Sequence, residues 1–101
     1  MIIRVVRMTF REDAVEEFLQ IFNSSKLHIR SFPGCLHLEL HRDAHDPRIF
    51  CTYSHWNSPE DLDAYRNSEL FGKVWPATKA LFDERPVAFS NEVVEIVGTG
   101  Q

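Results

Sequence analysis

The sequence has only two cysteines, so a framework of several disulfide bonds cannot hold it together. Cys35 and Cys51 each lie in a segment predicted to be a β-strand, where a cysteine most often serves as a small buried apolar residue. If His41 pairs with Ile49 across the hairpin, Cys51 lies opposite Glu39, at a distance of about 13 Å from Cys35 along the strands. A disulfide needs Cα atoms within about 7 Å of each other, so we expect two free thiols.

Long apolar runs and clusters of basic charge are also missing. No stretch approaches the roughly 20 apolar residues of a membrane span. The apolar start of the chain is interrupted by Arg4 and Arg7 and lacks the pattern of a secretion signal. The basic residues are scattered and the formal net charge is −4, which does not favour binding of DNA or RNA. We therefore expect a cytoplasmic protein with neither a membrane nor a nucleic acid as partner.

The motifs of several common enzyme classes do not occur. The chain has no Gly-x-Ser-x-Gly elbow, no phosphate-binding glycine loop and no Cys-x-x-Cys pair, so hydrolase, kinase and thiol-redox functions have no support. What is present is 101 residues, 44% hydrophobic and 26% charged, which is the size and balance of one globular domain. We expect residues 1–101 to form that single domain.

Apolar periodicity predicts four strands separated by helices. The strands are expected at Ile2 to Phe10, Cys35 to His41, Arg48 to Trp56 and about Val87 to Val97, where β-branched or alternating apolar residues prevail. Between the first two strands, apolar residues at three- and four-residue spacing predict a helix that ends before Pro33.

Two more helices are predicted between the third and fourth strands. Ser58 and the following Pro59 are typical of a helix start, and the helix should extend to about Asn67. Ser68 can begin the next helix, which we expect to kink or break at Pro76. The order of elements predicts a ferredoxin-like α+β fold, a split βαβ arrangement with the helices on one face of a four-stranded antiparallel sheet.

Alternation along the strands assigns side chains to the two faces of this sheet. The helix-covered face should carry Leu36, Leu38, Leu40, Phe50 and Trp56. The uncovered face should carry Ile3, Val5, Cys51 and Tyr53, an apolar patch that favours pairing with a second copy of the chain. It also carries His37, Glu39, His41 and His55. Successive residues of a His-x-Glu-x-His strand lie about 7 Å apart on one face, too far for its two ends to share one ion unaided, so a hydrated surface is favoured and no metal site is expected.

Three stretches of the sequence resemble the antibiotic biosynthesis monooxygenase family. They are RMTFREDAVEEFL from Arg7 to Leu19, PGCLHLELHRDAHDPRIF from Pro33 to Phe50, and HWNSPEDLDAYRNSELF from His55 to Phe71. The resemblance implies a dimeric α/β barrel in which each subunit has a pocket between its helices and its sheet. It also implies relatives that oxidise quinol- or anthrone-like aromatics with molecular oxygen and no cofactor.

The resemblance also defines candidate site residues. Many members have a histidine on the short helix where this chain has Tyr65, and heme-degrading members have an asparagine and a heme-ligating histidine where it has Val6 and Trp75. Heme degradation is therefore not expected. We expect Tyr65 and Asp61 to orient or deprotonate a small aromatic substrate. The expected substrate-binding residues are Trp56, Phe71, Trp75, Thr52 and Ser54.

Two functions remain open at this point. The first is a monooxygenase that acts without a cofactor on a quinol or polyketide-like phenol, for which a dry aromatic cavity with a polar group is suitable. The second is a non-catalytic dimeric ligand-binding or structural protein that has kept the fold and lost the catalytic site.

Overall fold

The computed structural model describes residues 1–98 and contains four strands and three α-helices. Their bounds are β1 Ile2–Thr9, α1 Val15–Arg30, β2 Cys35–Arg42, β3 Ile49–Trp56, α2 Pro59–Arg66, α3 Glu69–Lys79 and β4 Val87–Glu92, with a short 3-10 turn at Glu12–Ala14. The strands form one antiparallel sheet in the order β2-β3-β1-β4. The predicted ferredoxin-like α+β fold is therefore confirmed. No helix within residues 1–98 has the length and apolar character needed to cross a membrane.

The helices begin where the sequence predicts them to begin. The Ser58 side chain accepts a hydrogen bond from the Asp61 N–H at 3.1 Å, and the Ser68 side chain accepts one from the Phe71 N–H at 3.1 Å. Each serine thus satisfies an amide that the first turn of a helix leaves without a partner. These two caps fix where α2 and α3 begin, and so which of their side chains face the sheet.

Helix α3 does not break at Pro76. It continues to Lys79 with Pro76 inside it. A proline removes only the hydrogen bond to the carbonyl four residues earlier, here that of Gly72. The helix is held on both sides of this point because Trp75 stacks on Phe71 and also contacts the ring of Phe82.

The helix-covered sheet face holds two apolar clusters. The larger one is centred on Phe10, which is fully buried and stacks on Phe18 of α1 at 4.1 Å between ring centroids. The smaller one joins Trp56, buried to 1% exposure, to Leu62 of α2 and to Cys35. The candidate site lies between these clusters.

A bulge near the start of β2 changes which side chains are buried. Cys35 pairs with Trp56, but the next paired residue, His37, is opposite His55, so Leu36 is the extra residue. Cys35 is consequently buried, whereas Leu36 is 45% exposed. The assignment of Leu36 to the helix-covered face was wrong, because strict alternation fails where one strand has an additional residue.

The hairpin register also differs from the expected one. His41 pairs with Cys51 and not with Ile49, and Glu39 is opposite Tyr53. The expectation of two free thiols is nevertheless confirmed, since Cys35 and Cys51 are both free. Cys35 is buried in the core on the helix-covered side of the sheet. Cys51 lies on the uncovered face of the sheet.

Strand β4 is shorter than predicted, ending at Glu92 and not at Val97. Glu92 pairs with Ile2, the first residue of β1, and the last backbone contact is a hydrogen bond from the Val93 N–H to the Met1 carbonyl at 3.4 Å. Beyond that point β1 offers no further residue to pair with, so the ladder ends.

Candidate functional site

A cavity of about 230 Å³ lies between the helix-covered sheet face and the three helices. It brings together six of the seven site residues predicted from the sequence. These six are Thr52, Ser54, Trp56, Tyr65, Phe71 and Trp75. The apolar part of the lining is completed by residues such as Val6 and Met8 of β1 and Phe18 and Phe22 of α1.

Aromatic rings form a continuous wall along one side of the cavity. Trp56 stacks on Tyr65 with ring centroids 4.9 Å apart, and Tyr65 meets Phe71 edge to face at 5.2 Å. Phe71 in turn stacks on Trp75 at 5.8 Å. Four rings in mutual contact hold one another in place, so the wall offers a preformed surface against which a planar ligand can pack.

A hydrogen bond to a neighbouring residue of β3 holds the Trp56 ring in this wall. Its indole N–H donates to the Ser54 hydroxyl at 3.0 Å, and both residues are buried. The Ser54 hydroxyl also donates to the Arg4 carbonyl at 3.5 Å. The Ser54 hydroxyl is therefore already engaged by protein partners, and its contribution is to orient the indole.

Tyr65 is protonated at neutral pH. Burial, with a smaller contribution from the neighbouring Cys35, raises the pKa of its hydroxyl from 10.0 to about 12. Burial likewise raises the pKa of the Cys35 thiol. Because the hydroxyl keeps its proton at neutral pH, it cannot take a proton from a substrate but can donate a hydrogen bond. Of the two roles expected for Tyr65, orienting a substrate and deprotonating it, its environment therefore favours the first.

Asp61 does not line the cavity. Its carboxylate accepts a hydrogen bond from the Ser58 hydroxyl at 3.1 Å, at the beginning of α2. Its side chain also packs so closely on Gly34 that a Cβ placed there would lie 2.4 Å from it. The catalytic role that the resemblance implied for Asp61 thus gains no support from its position, because its carboxylate takes part in the cap of α2.

Two arginines line the cavity that were not among the predicted site residues. Arg4 lies in β1 between Ser54 of β3 and Ser90 of β4, and its Nη1 donates to the Ser90 hydroxyl at 3.2 Å. Burial and the charge of Arg66, at the end of α2, lower the pKa of Arg4. Strand alternation could have revealed Arg4, since it places this residue in the same row as Val6 and Met8.

The histidines lie on the opposite face of the sheet. His37 and His41 both hydrogen-bond the Glu39 carboxylate, the latter at 2.6 Å, and these bonds lower the pKa of Glu39. The Nε2 atom of His55 is buried without a hydrogen-bond partner among the described residues. Within residues 1–98 no group of three or more potential ligands has an arrangement that could hold a metal ion.

The site is thus a cavity with an aromatic wall, placed between a ferredoxin-like sheet and the helices that cover it. The chain belongs to the antibiotic biosynthesis monooxygenase family, whose model matches residues 1–75. All six predicted site residues that line the cavity lie in this matched part, as do Arg4 and Arg66.

Solved structures reproduce the fold. A crystal structure of an antibiotic biosynthesis monooxygenase superposes with a TM-score of 0.88 at 21% identity, covering 94% of this chain and 100% of that one. A conserved protein from Methanosarcina mazei Go1 superposes with a TM-score of 0.85 at 21% identity, covering 90% and 91% of the two chains. At such identities the likeness concerns the fold alone. No curated protein matches the sequence.

Proposed function

We propose that this protein is a cofactor-independent monooxygenase that oxidises a small quinol- or anthrone-like aromatic with molecular oxygen. The observation that carries the proposal is the aromatic cavity of about 230 Å³ with a protonated tyrosine in its wall, in a chain of this family. Such a cavity can remove a planar ring from water and hold it against Trp56 and Phe71.

The reaction requires little from the protein beyond binding. When the ring CH₂ of an anthrone is oxidised to a carbonyl, one atom of O₂ enters the substrate, the other leaves as water, and the substrate supplies all the electrons. Tyr65 donates a hydrogen bond to the substrate oxygen, which stabilises negative charge as it develops there. The apolar walls exclude water, so that the electron-rich substrate meets oxygen in a dry environment.

Oxygen uptake by the metal-stripped protein tests this proposal. With a panel of quinols and anthrones, we expect at least one substrate to be consumed faster than it autoxidises. Tyr65→Phe should lower that rate by about 100-fold, the size of loss typical when one oriented donor to a developing negative charge is removed. Tyr53→Phe is the matched control, because Tyr53 lies on the other face of the sheet and should leave the rate unchanged. A rate insensitive to Tyr65→Phe would contradict the assigned role.

One observation favours the second candidate function, a ligand-binding protein without catalysis. Among the described residues that line the cavity there is no histidine and no carboxylate, so no side chain is suited to take a proton from a neutral substrate. Tight binding of the aromatics without oxygen uptake above autoxidation across the panel would identify this function.

We further propose that the uncovered sheet face pairs with a second copy of the chain. On this face Val87 is 55% and Phe89 46% exposed, although both lie in a strand of the sheet. After β4, Val94 and Ile96 are 95% and 62% exposed in a segment that pairs with no strand among residues 1–98. A second copy can cover both, since the same patch on two subunits forms a self-complementary interface.

A further inference from the structure

We propose that the cavity selects aromatic ligands that carry a carboxylate, with the ring against the aromatic wall and the carboxylate at Arg4 and Arg66. The inference rests on the proposed function only in placing an aromatic ligand in this cavity. It adds that this ligand is negatively charged, and that Arg4 and Arg66 recognise the charge.

The two arginines belong to different elements of the fold and both line the cavity. Arg4 projects from the middle of the sheet, on the face that also carries Val6 and Thr52. Arg66 comes from the end of α2 and directly follows Tyr65. Both line the cavity, and the charge of Arg66 is close enough to lower the pKa of Arg4. An anion bound between these two side chains would be attracted by both positive charges.

No acidic group of the described chain neutralises this pair. Within residues 1–98, Arg7, Arg11 and Arg48 each form an ion pair with an aspartate, but neither Arg4 nor Arg66 forms one. The only side-chain hydrogen bond of Arg4 among these residues goes to a neutral serine hydroxyl. The cavity lining likewise contains no carboxylate.

Two like charges beside a mostly apolar cavity are unfavourable unless an anion joins them. Removing a cation from water is costly, and a second cation nearby adds repulsion. A ligand carboxylate reverses both effects, because a guanidinium can donate two parallel hydrogen bonds to it. A neutral ligand of the same shape gains nothing from these groups. Selectivity for charge at constant shape is therefore the property that distinguishes this site from a plain apolar cavity.

The pair 1-naphthoate and 1-naphthamide tests the inference, because the two differ in charge and hardly in shape. Isothermal titration calorimetry measures their binding in the absence of any turnover. We expect the wild-type protein to bind the carboxylate about tenfold more tightly than the amide, which corresponds to about 1.4 kcal/mol. The preference should decrease as salt is added, since part of the site is open to solvent.

Charge-neutralising variants assign the preference to residues. Arg66→Gln and Arg4→Gln should each reduce the ratio of the two affinities toward one while leaving 1-naphthamide binding within about twofold of wild type. Arg85→Gln removes the same charge from an exposed loop position outside the cavity and should keep the full preference. Should Arg4→Gln fail to fold because the bond to Ser90 is lost, the exposed Arg66 still decides the question.

The outcomes separate this inference from the proposed oxidation. Equal affinity of the wild-type protein for the two ligands would overturn the carboxylate site while leaving the aromatic cavity intact. A preference that survives in Arg66→Gln and Arg4→Gln would overturn the assignment to these arginines. A preference lost in both variants, together with no oxygen uptake on any aromatic, would support the inference and refute the oxidation. Absence of binding by either ligand would overturn the carboxylate site, whereas the oxidation would still be decided by oxygen uptake on the quinols and anthrones.

Discussion

Replacing Tyr53 with phenylalanine makes the ionisation of Tyr65 directly measurable. The chain has only two tyrosines, so the ultraviolet absorbance of tyrosinate in Tyr53→Phe reports on Tyr65 alone. We expect the absorbance to rise with a midpoint near pH 12, compared with 10.0 for an unperturbed tyrosine. The physical reason is burial between Trp56 and Phe71, which disfavours the charged phenolate.

The same shift makes folding depend on alkaline pH. In the unfolded chain the phenol loses its proton near pH 10, whereas in the folded protein it keeps the proton until about pH 12. The raised pKa therefore contributes stability that is fully present below pH 10 and is lost as the pH rises toward 12. Each unit of difference is worth about 1.4 kcal/mol, so a loss of roughly 2–3 kcal/mol is expected over this range. Urea unfolding at several alkaline pH values measures it.

Comparison with Tyr65→Phe isolates the contribution of this one group. That variant should show a smaller loss of unfolding free energy between pH 10 and 12 than the wild type, because lysines and other groups titrate equally in both. Circular dichroism followed in parallel shows whether the chain is still folded when the absorbance changes. A midpoint near pH 10 with the dichroism unchanged would refute the argument from burial, and Tyr65 would then be more exposed than its stacked neighbours indicate.

Three further outcomes can be measured by unfolding and sedimentation. Gly34→Ala should lower the free energy of unfolding by roughly 2–4 kcal/mol, because Gly34 has a φ of 89° and a Cβ would overlap a neighbouring side chain. Gly72→Ala, in an open helical position, should raise it by about 0.5–1 kcal/mol; a loss at Gly72 would contradict the reasoning. Ser54→Ala should cost about 1–3 kcal/mol, since it leaves the buried Trp56 indole N–H without an acceptor. Sedimentation should show twice the mass of one chain, and Phe89→Lys should shift it toward a monomer; a monomeric wild type would sink the proposed pairing.

Features that depend on neighbours along the chain could be predicted from the sequence. Ser58 and Ser68 cap their helices as expected, because a cap involves a residue and an amide only three positions away. The four strands likewise follow from local alternation. Once the order of elements was known, few topologies were compatible with it, and the ferredoxin-like sheet is one of them.

Features that depend on a partner strand or on tertiary packing could not be predicted in this way. The bulge at Leu36 and the pairing of His41 with Cys51 are properties of two strands together. The alternation of residues along one strand therefore reveals neither of them. Pro76 is a strong local signal against a helix, but α3 continues through it, and the tertiary contacts of Trp75 with Phe71 and Phe82 lie outside the local pattern.

The cavity contains residues that were predicted from the sequence and others that were not. Its aromatic wall could be expected because Trp56, Phe71 and Trp75 all occupy apolar positions that the fold directs toward the same layer. Asp61 was selected through the family resemblance, but its carboxylate is engaged in the cap of α2 and does not line the cavity. Arg4 was not among the predicted site residues. It interrupts an apolar run near the start of the chain, which is the pattern of an ordinary solvent-facing residue.

Within β1, however, Arg4 lies on the face of the sheet that lines the cavity. In a strand whose even-numbered residues face the core, a cation at an even position lies among apolar side chains, and its row here contains Val6 and Met8. Burial and a second cation both oppose its charge, and the serine it contacts cannot neutralise it. In the carboxylate site proposed above, a bound anion would offset this unfavourable environment. A charged residue in a buried row is therefore a better indicator of a ligand than the aromatic residues around it, since those also stabilise the protein when the cavity is empty.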